Sequence, residues 1–110
     1  MKGFDIDGVL IKGIASLIPN TDDILITGRS FETAPETYSL LQKKGIFNAI
    51  YFNPVKFENV TIENSALWKV KVIDSSSITK FYDDDARQID LINKYSKRVQ
   101  NNFCIVIQVG

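Results

Sequence analysis

The chain contains no histidine. Mechanisms that need an imidazole, as the base beside a serine or cysteine or as a metal ligand, are thereby excluded. There is one cysteine, Cys104, so no internal disulfide can form and an oxidising compartment finds no support. Cys104 stands within the apolar run 103–109 and reads as a small core residue. Charge of either sign is not in excess. The 13 basic and 13 acidic residues cancel, which leaves no global field to draw nucleic acid or an anionic membrane. The basic residues within 94–98 are a local candidate patch, and a solvated helix end is the simpler reading. No apolar run has the length of a signal peptide or a bilayer span. A cytoplasmic protein with no membrane partner is the resulting expectation. Chemistry must run on carboxylates, lysines, hydroxyls and backbone amides.

What is present is ordinary globular material. Hydrophobic residues make up 45% and charged residues 24% of 110 positions, enough for one core and one domain, residues 1–110. Residues 2–6 read as a short buried strand that stops at Gly8, where a tight turn is allowed. Residues 9–23 are mixed, with Gly13, Pro19 and Asn20 as breakers, and read as a loop or small flap. A second strand, 24–27, ends at Gly28. Thr33 and Glu36 then have capping-box spacing, and Pro35 suits a first helical turn. Tyr38 and Leu41 give that helix an apolar face, and Gly45 is a natural stop. Residues 47–52 form a third strand closed by Asn53 and Pro54.

After an irregular stretch, 53–63, residues 64–74 read as a helix with Leu67, Val70 and Ile73 or Asp74 along one side. The alternation from Trp68 to Val72 also fits a strand. Residues 78–82 are a fourth strand and run into Asp83, Asp84 and Asp85. Ile89, Ile92 and Tyr95 mark a helix over 86–97, and 103–109 is the last strand. Apolar strands alternating with helices predict an α/β fold, a parallel sheet covered on both faces.

In open sheets of this kind, ligands bind beyond the carboxyl ends of the strands. Polar residues collect there: Asp5 and Asp7 after strand one, Thr27, Gly28 and Arg29 after strand two, Asp83 to Asp85 after strand four. In an extended strand Asp5 and Asp7 would share a face. Clustered carboxylates raise one another's pKa and destabilise a site. A hard divalent cation removes that penalty, and an all-oxygen donor set points to Mg²⁺. Each feature alone has a plain reading, as a turn, a helix cap or a solvated lysine. Their joint occurrence at convergent strand ends carries the argument.

The series Asp5-Ile6-Asp7-Gly8-Val9-Leu10, Ile26-Thr27-Gly28-Arg29, a helical lysine, and Phe81-Tyr82-Asp83-Asp84 resembles the haloacid dehalogenase superfamily of phosphohydrolases. The four motifs stand in the family's order and cover essentially the whole chain. The resemblance implies a three-layer, Rossmann-like sheet of about five strands in the order 5-4-1-2-3. It also implies a Mg²⁺-dependent phosphatase working through an aspartyl-phosphate. Asp5 would be the nucleophile and Asp7 the general acid and base. Thr27 would hold a phosphoryl oxygen, with Gly28 and Arg29 beside it on the substrate phosphate. A lysine would neutralise phosphate charge: Lys69 by preference, with Lys71 or Lys80 as alternatives. Asp5, Asp7, Asp84 and Asp83 would surround the metal, the triplet being ambiguous by one register, with Asp85 starting the next helix.

Family members usually carry a cap inserted after the first motif or the third strand. Neither 9–23 nor 53–63 is long enough for one. An uncapped site would admit a small phosphorylated molecule or an exposed macromolecular phosphate, a nucleic-acid end included, or be roofed by a second copy of the chain. A non-catalytic phosphate- or metal-binding module and a phosphotransferase are the alternatives. A receiver-type signalling domain would need an aspartate where strand three ends in Asn53.

Overall fold

The computed structural model describes residues 1–11 and 17–110. Five parallel strands, β1 (Lys2–Phe4), β2 (Ile24–Ser30), β3 (Ile50–Asn53), β4 (Lys80–Asp83) and β5 (Ile105–Gln108), form one sheet in the order β3-β2-β1-β4-β5. The helices α1 (Ala34–Gln42), α2 (Ile62–Ser75), α3 (Ala86–Tyr95) and α4 (Lys97–Gln100) complete an α/β architecture. No helix among the described residues is long and apolar enough to cross a membrane. Residues 12–16, within the stretch read as a loop or small flap, lie outside the described residues.

Two apolar clusters show that both sheet faces are covered. On one side Ile24, Ile26 and Phe81 pack with Val72 and Ile73 of α2 and Ile92 of α3. On the other, Phe4 and Leu25 pack with Leu41 of α1 and with Ile6, Val9 and Leu10 of the turn after β1. The split follows from chain direction. The chain steps from β1 through β2 to β3, then reverses across β1 to β4 and β5. Right-handed crossovers put the connections of the two halves on opposite faces. The reversal point lies between β1 and β4, where open α/β sheets bind ligands.

Several elements differ from the sequence expectation, each for a local reason. The first strand ends at Phe4, and residues Ile6–Ile11 coil into a wide helical turn. Asp5 and Asp7 therefore do not share a strand face. The second strand runs on to Ser30, and its register with β3 slips between Ile26 and Ser30. Such irregularities redirect side chains near sites, and this one falls on Thr27, Gly28 and Arg29. Thr33 does not cap α1 through its side chain. Its hydroxyl donates to the Ser30 carbonyl at 2.8 Å.

The helix α2 starts earlier than residue 64 because Thr61 and Asn64 form a reciprocal capping box. Its buried stripe is Ser65, Ala66, Lys69, Val72 and Ile73, with Val70 packed partly buried against the same cluster. Leu67 is exposed. The helix expected over 86–97 breaks at Ser96. That residue is extended, its Oγ accepts from the Val99 amide at 3.2 Å, and it donates to Asp74 Oδ1 at 2.6 Å. Arg98 is spent on carbonyl oxygens of Ile73 and Ile78, so the 94–98 stretch is in part structural.

Ser96 is fully buried and joins α3, α4 and α2. Ser96→Ala should lower unfolding free energy by about 1–2 kcal/mol through the lost cap and the lost hydrogen bond to Asp74. Urea denaturation measures it, and a change within experimental error would show that the junction is not held by this hydroxyl.

Candidate active site at the carboxyl ends of the strands

The parallel register of β1 and β4 sets the centre of the site. Phe4 is level with Tyr82, and their rings stack with centroids 5.0 Å apart. The Asp5 amide donates to the Tyr82 carbonyl at 2.9 Å. Asp5 and Asp83 thus leave the sheet side by side. Both are buried, 5% and 0% exposed.

Two buried carboxylates need a cation between them, and α2 supplies it. Lys69 is 2% exposed and holds the core-facing position of its helix between Ala66 and Val72. Its Nζ lies 3.1 Å from Asp5 Oδ1 and 2.8 Å from Asp83 Oδ2, with the Phe81 ring centroid 5.9 Å away. Lys71 and Lys80 are exposed and stand outside this cluster. Asp83 is fully engaged: its second oxygen accepts from the amides of Asp84 at 2.8 Å and Asp85 at 3.2 Å. That ties the turn after β4 to the ammonium. Asp85 in turn caps α3 through the Arg87 amide.

The two halves of the ion pair titrate differently. Burial is the largest influence on Asp5. It outweighs the attraction of Lys69, and with repulsion from Asp83 and Asp7 it raises the carboxyl to about 6. Burial pushes Lys69 the other way, but Asp5 and Asp83 together outweigh it and hold the ammonium above its usual pKa. Lys69 therefore stays charged at neutral pH, while Asp5 is held close to its titration.

Asp7 takes no part in this buried core. The helical turn carries its side chain outward, 57% exposed, onto Arg29. Arg29 Nε donates to Asp7 Oδ1 at 3.0 Å and Nη2 donates to the same oxygen at 2.7 Å, while Nη1 donates to Thr37 Oγ1 at 3.1 Å. This fork, the first of its influences, raises the guanidinium pKa further. Thr27 is fully buried and its Oγ1 accepts from the Arg29 amide at 3.0 Å. It orients the turn, and Gly28, Arg29 and Ser30 form the surface there. Gly28 is required by close approach: a Cβ would fall 2.6 Å from the Oγ of Ser65 on α2.

Asp84 lies against Gly8, where a Cβ would fall 1.7 Å from the Asp84 carboxyl carbon. One oxygen each of Asp5, Asp83 and Asp84 lies within 4.8 Å of the others. Such an all-oxygen set suits a hard divalent cation. Together these groups floor a cleft of about 1080 Å³. The cleft also contains residues that sequence reasoning did not single out: Phe57, Val60, Ile62, Arg87 and Gln88. They come from the β3–α2 connection, the start of α2 and the start of α3, so only tertiary structure unites them. No protein-family model, curated protein or solved structure matches this chain.

The raised Asp5 pKa fixes a sign. The fold favours the neutral form, so the contribution to stability is full below the unfolded value of 3.8 and is lost as pH rises through about 6. Asp5→Asn, measured in EDTA, should therefore unfold later than the wild type at pH 8, by roughly 1–3 kcal/mol. The gain should vanish below pH 4. A variant less stable than the wild type at pH 8 would contradict this reading of the buried charge.

Proposed function

We propose that the chain is a Mg²⁺-dependent phosphohydrolase of the haloacid dehalogenase type, cleaving phosphomonoesters through an aspartyl-phosphate on Asp5. The observation that carries this reading is the buried Asp5–Lys69–Asp83 cluster at the reversal point of the sheet. A structural ion pair has no need of that location. A nucleophilic carboxylate does, because it must sit at the floor of a cleft beside a fixed positive charge. The four motifs and their order along the chain support the same assignment.

In the first half-reaction an Asp5 oxygen attacks phosphorus. The new P–O bond forms as the ester P–O bond breaks, and the leaving oxygen takes a proton from Asp7. In the second, water attacks the aspartyl-phosphate and gives a proton to Asp7. The bond from phosphorus to Asp5 breaks, and inorganic phosphate departs. Lys69 balances negative charge on Asp5 and on the phosphoryl oxygens throughout. The bidentate pair with Arg29 keeps Asp7 occupied. Phosphoryl oxygens arriving in the cleft compete for the same guanidinium, which frees Asp7 for proton transfer. Arg29 thus couples substrate arrival to readiness of the acid–base group. Thr27 acts by positioning Arg29.

The donor set fits magnesium. Asp83 already accepts hydrogen bonds from Lys69 and two amides. Asp5, Asp84 and the backbone carbonyl of Asp7 are therefore the groups that would hold the ion. When bound it draws charge from the phosphoryl group. Transfer to an acceptor other than water would share the first half-reaction.

Release of phosphate from a generic aryl phosphate should require Mg²⁺ and stop on chelation. Asp5→Asn should lower kcat by about 10³-fold or more, and Lys69→Met by at least about 10²-fold. Turnover that survives in Asp5→Asn contradicts the assignment. A folded wild type that binds Mg²⁺ and turns over no phosphomonoester favours the non-catalytic binding module.

A further inference from the structure

The cleft is larger than a phosphoryl group needs, and its lining is not uniform. Small-molecule sites span roughly 300–1,000 Å³, and this cleft, at about 1080 Å³, leaves most of its space beyond the carboxylates. Part of its lining is apolar: Phe57 and Val60 from the connection between β3 and α2 and Ile62 at the start of α2, with Thr61 among them. Phe57 is 68% exposed and Ile62 38%. The Phe57 backbone is held in place, since its amide donates to Glu32 Oε1 at 2.7 Å and it begins a short helical turn, Phe57–Asn59. An aromatic ring presented to a cleft rather than to the core offers a stacking surface.

Another part of the lining is polar. Arg87 and Gln88 stand on the first turn of α3. Gln88 Oε1 is buried and accepts no hydrogen bond among the described residues. A buried acceptor without a donor is unfavourable, and turning the amide into the cleft relieves it when a ligand offers an N–H or O–H. The Arg87 side chain is 70% exposed.

We propose that the leaving group of the substrate is a nucleoside, so that the cleft takes a nucleoside monophosphate. This rests on the phosphohydrolase reading. The phosphate lies against Asp5, Lys69 and Arg29, and the base stacks on Phe57 with Val60 and Ile62 beneath. The ring edge and sugar hydroxyls supply donors to Gln88. A small polyol phosphate would leave the apolar lining wet. A plain aryl phosphate would leave Gln88 without a donor. The neutral net charge fits a single nucleotide better than a polyanionic strand.

The test compares kcat/KM for adenosine 5′-monophosphate, glycerol phosphate and phenyl phosphate, in the wild type, Phe57→Ala, Phe57→Trp and Gln88→Ala. Direct binding of adenosine monophosphate to each protein is followed by NMR. The wild type should prefer the nucleotide over glycerol phosphate by about tenfold or more. Phe57→Ala should cut that ratio by about tenfold through KM, and Phe57→Trp should restore it. Gln88→Ala should reduce the nucleotide's advantage over phenyl phosphate. Asp5-dependent turnover of all three substrates at similar efficiency would overturn the nucleoside assignment and leave the phosphohydrolase reading standing. Nucleotide binding lost in Phe57→Ala, with no turnover of any substrate, would support the nucleoside site while the hydrolase reading fell. Absence of both binding and turnover would overturn both.

Discussion

Lys69 places a positive charge in the interior between two carboxylates, and much of the molecule is arranged around that contact. Removing such charges from water costs several kcal/mol each in effective terms, and hydrophobic replacements of similar shape are often as stable or more so. Stability alone does not account for the cluster. Asp83 accepts from Lys69 and from the amides of the turn after β4, so the ammonium fixes the start of α3. Asp5 faces the same ammonium from β1. The apolar stripe of α2 holds Lys69 at the height where both strands end. The capping box at Thr61 and Asn64 sets where that stripe begins. The strand register, the helix phase and the turn after β4 agree on one atom, Nζ of Lys69.

The topology explains why the cluster is open on one side. Where the chain reverses direction across the sheet, the connections leaving β1 and β4 go to opposite faces and a crevice remains between them. Gly8 and Gly28 let neighbouring segments close around it, since a Cβ at either position would collide with Asp84 or Ser65. Arg29 and Asp7 form a second, outer ion pair on the rim. The inner pair is buried, whereas the outer one faces solvent, where it can exchange partners. Under the proposed phosphohydrolase reading, binding an anion, transferring its phosphoryl group and releasing the product calls for both kinds.

The order of elements and the parallel sheet were legible because short apolar strands alternate with helical segments. Strand ends were less legible. Asp5-Ile6-Asp7 alternates like a strand, yet the chain coils after Asp5 and sends the two carboxylates apart. The core face of α2 was read only in part: Ile73 is buried and Val70 packs against the same cluster, but Leu67 is exposed and Lys69 takes a core position. The signal was there in the spacing Ala66, Lys69, Val72, Ile73, where a lysine stands among core positions. A charge at such a position calls for a buried partner of opposite sign. Thr61 with Asn64 was also readable as a cap, although Asn at that position is a weaker cue than Glu or Gln. Nothing local marks Phe57 and Gln88 as neighbours of one cleft, because they are brought together only by the sheet order. Nor could sequence tell that Asp83 is consumed by hydrogen bonds while Asp84 lies at the cleft surface.

The central claim is that Asp5 becomes covalently phosphorylated, and chemical trapping tests it most directly. The protein is mixed with Mg²⁺ and a phosphomonoester, quenched during turnover, reduced with borohydride and mapped by mass spectrometry. An acyl phosphate at Asp5 would be reduced to homoserine, and the account expects that change at position 5 and nowhere else, absent without substrate and absent in Asp5→Asn. Steady phosphate release with Asp5 left unmodified, or trapping at Asp7, Asp83 or Asp84 instead, would contradict it.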